Sequence, residues 1–208
     1  MVMFSWIVNV IVIVGVIYLT FGMALAGWVA SLRKGQAVTL LPERGNRRWP
    51  PWAQLAFALL SLVLAGALFC VLWIPLPVAL SESTALWLTI GGLALFLAGL
   101  ILTLWARRTL GAMWGISTSR KVKLLPDHQL IQTGPYALMR HPMYLGWWLS
   151  LVGLLLIYHT WLLVGLLAMS LVIFYLRARR EEAVLAEKFG EEWQAYVARS
   201  KFLIPFIY

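Results

Sequence analysis

The chain has 208 residues, of which 62% are hydrophobic and 12% are charged, and its formal net charge is +9. Soluble domains carry about 25% charged residues, so this composition excludes an ordinary soluble protein and predicts one integral membrane domain. The single cysteine, Cys70, excludes a disulfide framework and a cysteine-based metal site.

Five apolar stretches follow one another along the chain, and each is expected to form a helix that spans the ~30 Å hydrocarbon core of a bilayer. The first three lie at residues 4–32, 53–74 and 85–106. The last two, at 143–157 and 161–176, are shorter and only three residues separate them. So short a link predicts that the last two spans form a tight antiparallel helical hairpin.

The C-terminal segment 177–201 carries a helical pattern of its own. Charged residues lie opposite a stripe of large apolar residues that recur at helical spacing. The stripe consists of Leu185, Phe189, Trp193 and Tyr196. The pattern predicts a cytoplasmic amphipathic helix, which Gly190 weakens or divides. The expected fold is therefore all-α and polytopic, with five transmembrane helices and this additional C-terminal helix.

Lysine and arginine are confined to three segments. Residues 33–52, 107–142 and 177–208 hold five, six and six of the 17 basic residues. The positive-inside rule places these segments in the cytoplasm and the N-terminus outside. Because the basic residues flank apolar spans, we expect them to attract anionic lipid headgroups and not nucleic acid.

Polar residues of the cytoplasmic side are expected to form one pocket. Pro142 disfavours helical geometry at His141, so His141 should lie at the N-terminus of the fourth span, where free N–H groups favour a carboxylate. Arg177 and Glu181 share one helix face at the end of the fifth span. The short hairpin link should bring this face back to His141, and we expect His141 and Glu181 to be close.

Several familiar catalytic motifs are absent from the sequence. It contains no Gly-rich dinucleotide fingerprint after a strand, no P-loop and no His-Glu-x-x-His motif. The three histidines are His128, His141 and His159, and the last is expected on the other side of the membrane. We therefore expect no metal site and no Rossmann domain.

Two blocks of the C-terminal half carry a signature. The first follows Leu110-Gly111 and reads His128-x-Leu130-Ile131-x-x-Gly134-Pro135-Tyr136-x-x-x-Arg140-His141-Pro142-x-Tyr144-x-Gly146. The second reads Arg177-x-x-x-Glu181-Glu182-x-x-Leu185-x-x-x-Phe189-Gly190-x-x-Trp193-x-x-Tyr196. Together they resemble the isoprenylcysteine carboxyl methyltransferase family, and phospholipid N-methyltransferases and bacterial thiol S-methyltransferases look similar in the same half. The resemblance covers roughly residues 107–208.

The resemblance implies S-adenosyl-L-methionine as methyl donor and S-adenosyl-L-homocysteine as product. It divides the single membrane domain, 1–208, into three N-terminal spans at 1–106 and a cofactor-binding catalytic half at 107–208. The residues that fall on cofactor-binding positions of the family are His128, Gln129, Leu130, Ile131, Tyr136, Arg140, His141, Pro142, Met143, Tyr144 and Glu181. The expected catalytic residues are Arg177, His141 and Glu182. Arg177 would orient a carboxylate acceptor, whereas His141 or Glu182 would take the proton of an amine or thiol.

We therefore expect an S-adenosylmethionine-dependent membrane methyltransferase that acts on a lipophilic acceptor, by resemblance the carboxylate of an isoprenylcysteine. The alternatives are a phospholipid N- or thiol S-methyltransferase of the same fold, an NADPH-dependent sterol-reductase-like enzyme, and a non-catalytic membrane scaffold. The expected partners are membrane lipids and a substrate that enters from the bilayer, with no obligate protein partner. We expect a multi-pass membrane protein with a cytoplasmic active site. The short chain predicts that the membrane is a prokaryotic inner membrane.

Overall fold

The computed structural model describes residues 2–22, 50–113 and 129–204. Within these ranges the regular structure is helical, and extended backbone is limited to isolated bridges. The helices are α1 (Val2–Ile17), α2 (Pro51–Val71), α3 (Glu82–Leu110), α4 (Pro142–Tyr158), α5 (Trp161–Phe189) and α6 (Glu191–Arg199). A π-helical turn, Tyr18–Gly22, follows α1, and short 3-10 turns lie at Gly111–Met113 and Gly134–Ala137. The all-α fold is thus confirmed for the described residues.

The described chain forms two compact units. Residues 2–22 and 50–74, with α1 and α2, belong to the first, and residues 75–113 and 129–204, with α3 to α6, belong to the second. The second unit begins at residue 75 and includes α3, the third predicted span. The predicted division of one domain at residue 106 stays a prediction.

Two of the described helices, α3 and α5, are long and apolar enough to cross a membrane. Shorter apolar stretches lie in α1, α2 and α4. Each of the five predicted stretches thus contains a helix in its described part, while the count of five spans stays a prediction. Large apolar side chains of α3 and α5 point outward, among them Trp87, Ile101 and Val172. A surface of this kind suits contact with lipid.

The α3 and α4 backbones approach each other closely at two pairs of glycines. A Cβ on Gly92 would lie 2.7 Å from the Gly153 carbonyl oxygen, and a Cβ on Gly99 would meet the Gly146 carbonyl oxygen. Between them, Phe96 is fully buried. In lipid, where tails are as apolar as leucine, helices associate through such close small-residue packing.

Two residues, His159 and Thr160, connect α4 to α5. His159 adopts the left-handed conformation with φ 48°, and its carbonyl accepts a 2.7 Å hydrogen bond from the Leu76 N–H. Thr160 is fully buried. Beyond this link, α5 returns along α4, so that Phe174 stacks on Tyr144 with ring centroids 4.9 Å apart.

The C-terminal segment 177–201 is largely helical, as its pattern predicted, and Gly190 divides it between α5 and α6. The fifth apolar stretch and the polar segment after it form one helix, α5, which ends at Phe189. No helix breaker stands between Leu176 and Gly190, and the ion pair from Arg177 to Glu181 at i, i+4 supports the continuous helix. Gly190 divides the segment because its φ of 50° and ψ of −116° suit only glycine.

Candidate functional site

Residues 138–141, just before α4, pair with the segment that follows α6. The Arg140 N–H donates to the Lys201 carbonyl at 2.8 Å, and the Lys201 N–H donates to the Leu138 carbonyl at 3.0 Å. The Arg140 guanidinium also donates to the Ser200 carbonyl at 2.7 Å. These bonds fix the backbone next to His141 against the C-terminal part of the chain.

The α6 helix is attached to the same region by polar side chains. Gln132 donates to Glu192 at 2.8 Å and accepts from Arg199. The Tyr196 hydroxyl donates to the Tyr136 carbonyl at 2.7 Å in a buried position. Burial raises the pKa of Tyr196 to about 12 and raises that of Tyr136 further, so both phenols stay protonated at neutral pH.

The α4 helix begins directly after His141. His141 is its N-cap residue, Pro142 occupies the first turn, and no side chain caps the helix. Proline is well placed there because it lacks only an N–H that the first turn leaves free. The predicted location of His141 at this helix start is confirmed.

Glu182 lies between the side chains of Arg140 and His141. Its Oε1 accepts a 2.6 Å hydrogen bond from Arg140 Nε and lies 3.3 Å from His141 Nε2. The side chains of Arg140 and Glu182 are each 12% exposed and that of His141 is 6% exposed. The exposed Arg179 approaches the other carboxylate oxygen at 3.6 Å. Through these contacts Glu182 connects the start of α4 with the polar part of α5.

Glu181 lies beside this ion pair and has partners of its own. Its Oε1 accepts from the Tyr144 hydroxyl at 2.8 Å and from Arg177 Nε at 3.0 Å. Its Oε2 lies 3.9 Å from His141 Nδ1. The structure thus brings together His141, Glu181 and Arg177, as the sequence predicted. The catalytic and binding roles of these residues stay predictions.

A row of aromatic rings leads to this cluster along α4 and α5. Trp147 contacts Phe174 at 6.5 Å, Phe174 stacks on Tyr144 at 4.9 Å, and Tyr144 stacks on His141 at 5.5 Å between ring centroids. All four side chains belong to the second unit. The row connects the apolar parts of the two helices with the carboxylates of Glu181 and Glu182.

A groove lies next to the cluster, and ten side chains line it. Six of them are predicted cofactor-binding residues: Gln129, Leu130, Ile131, Tyr136, Arg140 and His141. The other predicted residues that the structure describes follow in the first turn of α4 or on α5: Pro142, Met143, Tyr144, Arg177, Glu181 and Glu182. His128 lies outside the described residues.

Four groove residues were not among the predicted cofactor-binding or catalytic residues: Leu110, Leu185, Trp193 and Tyr196. The helical pattern in the C-terminal segment was the signal for the last three, although Gly190 places them on two helices, α5 and α6. Trp193 and Tyr196 are buried and meet edge to face at 5.6 Å. Together with Tyr136 they form an aromatic wall of the groove.

Residues 92–187 match the family model described as the isoprenylcysteine carboxyl methyltransferase family. This part of the chain is therefore similar to that family. The predicted resemblance is thereby confirmed. The matched region contains His141, Tyr144, Glu181 and Glu182, so the polar cluster lies within the family portion. The α6 helix lies beyond it.

Two curated relatives are named protein-S-isoprenylcysteine O-methyltransferase. The Xenopus laevis protein is 31% identical over 122 residues, which are 58% of this chain and 42% of the relative. The Saccharomyces cerevisiae protein is 38% identical over 93 residues, 42% of this chain and 37% of the relative. The uncharacterized protein YpbQ of Bacillus subtilis is 30% identical over 107 residues, 51% of this chain and 60% of the relative. The chain thus matches less than half the length of the two named methyltransferases.

A solved structure shares the fold of the chain. It is that of a eukaryotic intramembrane Ras methyltransferase, an isoprenylcysteine carboxyl methyltransferase, and the match has a TM-score of 0.55 at 21% identity. It covers 97% of this chain and 74% of that chain. The chain therefore shares its fold with that protein.

Proposed function

We propose that the chain is an S-adenosylmethionine-dependent membrane methyltransferase that methylates a lipophilic acceptor, with the carboxylate of an isoprenylcysteine as the first candidate. The observation that carries this proposal is the polar cluster of Arg140, His141, Tyr144, Glu181 and Glu182 within the family portion of the chain. Two relatives in that portion are named for O-methylation of S-isoprenylcysteine.

The groove offers the side chains that a charged nucleoside cofactor requires. The rings of Tyr136, Trp193 and Tyr196 provide faces for a cation, each worth about 0.5–2 kcal/mol. The uncapped N-terminus of α4 suits an amino-acid carboxylate, and Glu181 can accept hydrogen bonds from ribose hydroxyls. When bound, S-adenosylmethionine supplies an electrophilic methyl group, so alignment with the acceptor is the main task of the protein.

The apolar part of the acceptor is proposed to lie along the aromatic row. Trp147, Phe174 and Tyr144 form a continuous ring surface that ends at His141. A lipid chain on this surface would place its polar head near Glu181 and Arg177. The Arg177 side chain is 44% exposed, and its positive charge suits an acidic head group.

The surroundings of Glu182 favour a carboxylate acceptor. An amine or thiol must lose a proton, and the candidate bases are His141 and Glu182. Glu182 is already engaged by Arg140 and lies against His141, so Glu182 cannot accept a proton from the acceptor without weakening these contacts. A carboxylate is ionised at neutral pH and requires no base.

We propose that the site faces the cytoplasm, with membrane lipids and the lipophilic acceptor as partners. The proposal rests on the distribution of the 17 lysines and arginines. Arg177, Arg179 and Arg180 lie where the apolar part of α5 ends, on the same segment as Glu181 and Glu182.

The test is methyl transfer by the purified protein in lipid nanodiscs. Tritiated S-adenosylmethionine and N-acetyl-S-farnesyl-cysteine are expected to give a labelled product that releases volatile methanol in alkali, as a methyl ester does. Alkali-stable label in a lipid extract would instead indicate N- or S-methylation. Absence of S-adenosylmethionine binding in calorimetry would refute the proposed cofactor and with it the proposed function.

A further inference from the structure

Phe202 lies directly against the polar cluster, although it stands outside the family portion of the chain. Its ring meets the His141 ring edge to face at 4.9 Å, and the Arg140 guanidinium carbon lies 5.8 Å from its centroid. The ring also contacts Tyr175, with ring centroids 6.1 Å apart. Phe202 therefore contacts both His141 and Tyr175.

Tyr175 marks the lipid-facing surface of α5. Its side chain is 49% exposed, and the neighbouring side chains of Ile173 and Leu176 are each 48% exposed. They belong to a helix that is long and apolar enough to cross a membrane. The side of Phe202 that touches Tyr175 is thus the side from which a molecule dissolved in the bilayer would approach His141.

The backbone next to Phe202 is held in place. Lys201 forms a bridge with Met139, and its carbonyl accepts the Arg140 N–H at 2.8 Å. The Leu203 side chain is buried. The Phe202 ring itself is only partly buried, so it can change its side-chain rotamer while the backbone keeps these bonds.

We propose that Phe202 is a side-chain gate that closes the His141 end of the site toward the bilayer. With the ring against His141 the path from Tyr175 is blocked, and rotation of the ring opens it. The admission of the methyl acceptor by this gate rests on the proposed function. The shielding of His141 by the ring does not depend on that function.

The first test measures the shielding of His141 and needs neither cofactor nor acceptor. Diethyl pyrocarbonate modifies accessible imidazoles, and mass spectrometry of peptides identifies which histidine has reacted. We expect His141 in Phe202→Ala to react about tenfold faster than in the unsubstituted protein, equivalent to about 1.4 kcal/mol. Phe202→Tyr, which keeps the ring, should react at the unsubstituted rate, and so should Trp161→Ala, which removes an exposed aromatic ring at the opposite end of α5.

An equal rate in Phe202→Ala and the unsubstituted protein would overturn the gate. If Phe202→Ala does not fold, Phe202→Leu provides the same comparison with a smaller loss of side-chain volume, and an intermediate rate is expected. Fast modification of His141 in Phe202→Tyr would also count against the proposal, because this variant keeps the aromatic ring that is proposed to shield His141.

The second test asks what the gate admits. The kcat/KM values for N-acetyl-S-geranyl-cysteine and N-acetyl-S-geranylgeranyl-cysteine are compared in nanodiscs. Phe202→Ala should shift the preference toward the longer chain about threefold, a modest change because it alters access and not the reacting groups. An unchanged preference would overturn the role in acceptor access. No turnover by the unsubstituted protein would refute the methyltransferase, and the His141 measurement would still decide the gate.

Discussion

The Tyr144 hydroxyl donates a 2.8 Å hydrogen bond to Glu181, 37 positions later in the chain. The same carboxylate oxygen accepts from Arg177. One oxygen of Glu181, which lies on α5, therefore contacts both the first turn of α4 and the arginine that is proposed to meet the acceptor. This shared contact makes Glu181 the residue at which cofactor and acceptor sites meet in the proposed function.

Glu181→Gln is expected to weaken binding of S-adenosylhomocysteine. The change removes a negative charge whose hydrogen bonds are each worth about 1.5–3 kcal/mol, so the dissociation constant should rise by about one to two orders of magnitude. Isothermal titration calorimetry measures it. Glu187→Gln, an exposed carboxylate on the same helix, is the control and should bind like the unsubstituted protein. Equal affinity in the two variants would contradict the cofactor role of Glu181.

Glu182→Ala is expected to destabilise the fold. It leaves the Arg140 guanidinium and the His141 ring largely buried without their carboxylate, which costs about 3 kcal/mol. Denaturant unfolding in mixed micelles measures the loss. Arg179→Ala removes a 63% exposed partner of the same carboxylate and should change stability by less than about 1 kcal/mol. In the double variant with Arg140→Ala, the total loss should fall short of the sum of the single losses.

Gly92→Ala is expected to disturb the contact of α3 with α4. The new Cβ would lie 2.7 Å from the Gly153 carbonyl oxygen, and separating the helices to relieve the clash should cost about 1–3 kcal/mol. Gly91→Ala is a matched control one residue away, where a Cβ meets nothing within 4 Å. That control should be neutral or stabilising by up to about 1 kcal/mol. Similar unfolding curves for both variants would show that the close approach does not govern stability.

The attachment of α6 is expected to weaken in alkali. Burial raises the pKa of Tyr196 from 10.0 to about 12, so the folded state favours the protonated phenol. Its contribution to stability is complete below pH 10 and is lost as the pH rises through about 12. The melting temperature should therefore fall over this interval. Tyr196→Phe lacks the bond to the Tyr136 carbonyl, so its melting temperature should be lower at neutral pH and fall less in alkali.

Local sequence rules were sufficient to predict the start of α4 and the cluster around it. A proline after His141 determined where the helix begins, and the short link at 158–160 required α5 to return along α4. Helical spacing then placed Arg177 and Glu181 on one face. Each inference depends on neighbours in sequence, and together they predicted the approach of His141 to Glu181 that the structure contains.

Contacts made by the chain after Gly190 could not be predicted in this way. The direction of α6 depends on the φ and ψ of one glycine, and the segment 200–204 has no periodicity that reveals its partners. The bond from Tyr196 to Tyr136 and the contact of Phe202 with His141 follow from that direction. The helix α5 continues past Arg177 because a change from apolar to polar residues alters the surroundings of a helix without interrupting its backbone hydrogen bonds.

The glycine contacts between α3 and α4 also determine which parts of the protein can move. Backbones that touch at Gly92 and Gly153, and again at Gly99 and Gly146, cannot slide past each other by one residue without collision. The contact between α3 and α4 is therefore expected to stay fixed. In the proposed function, the helix that carries Glu181 and the segments that follow it would accommodate the loading of substrate and the release of product. Random substitution should accordingly be tolerated on the lipid-facing sides of α3 and α4 and eliminated at these four glycines.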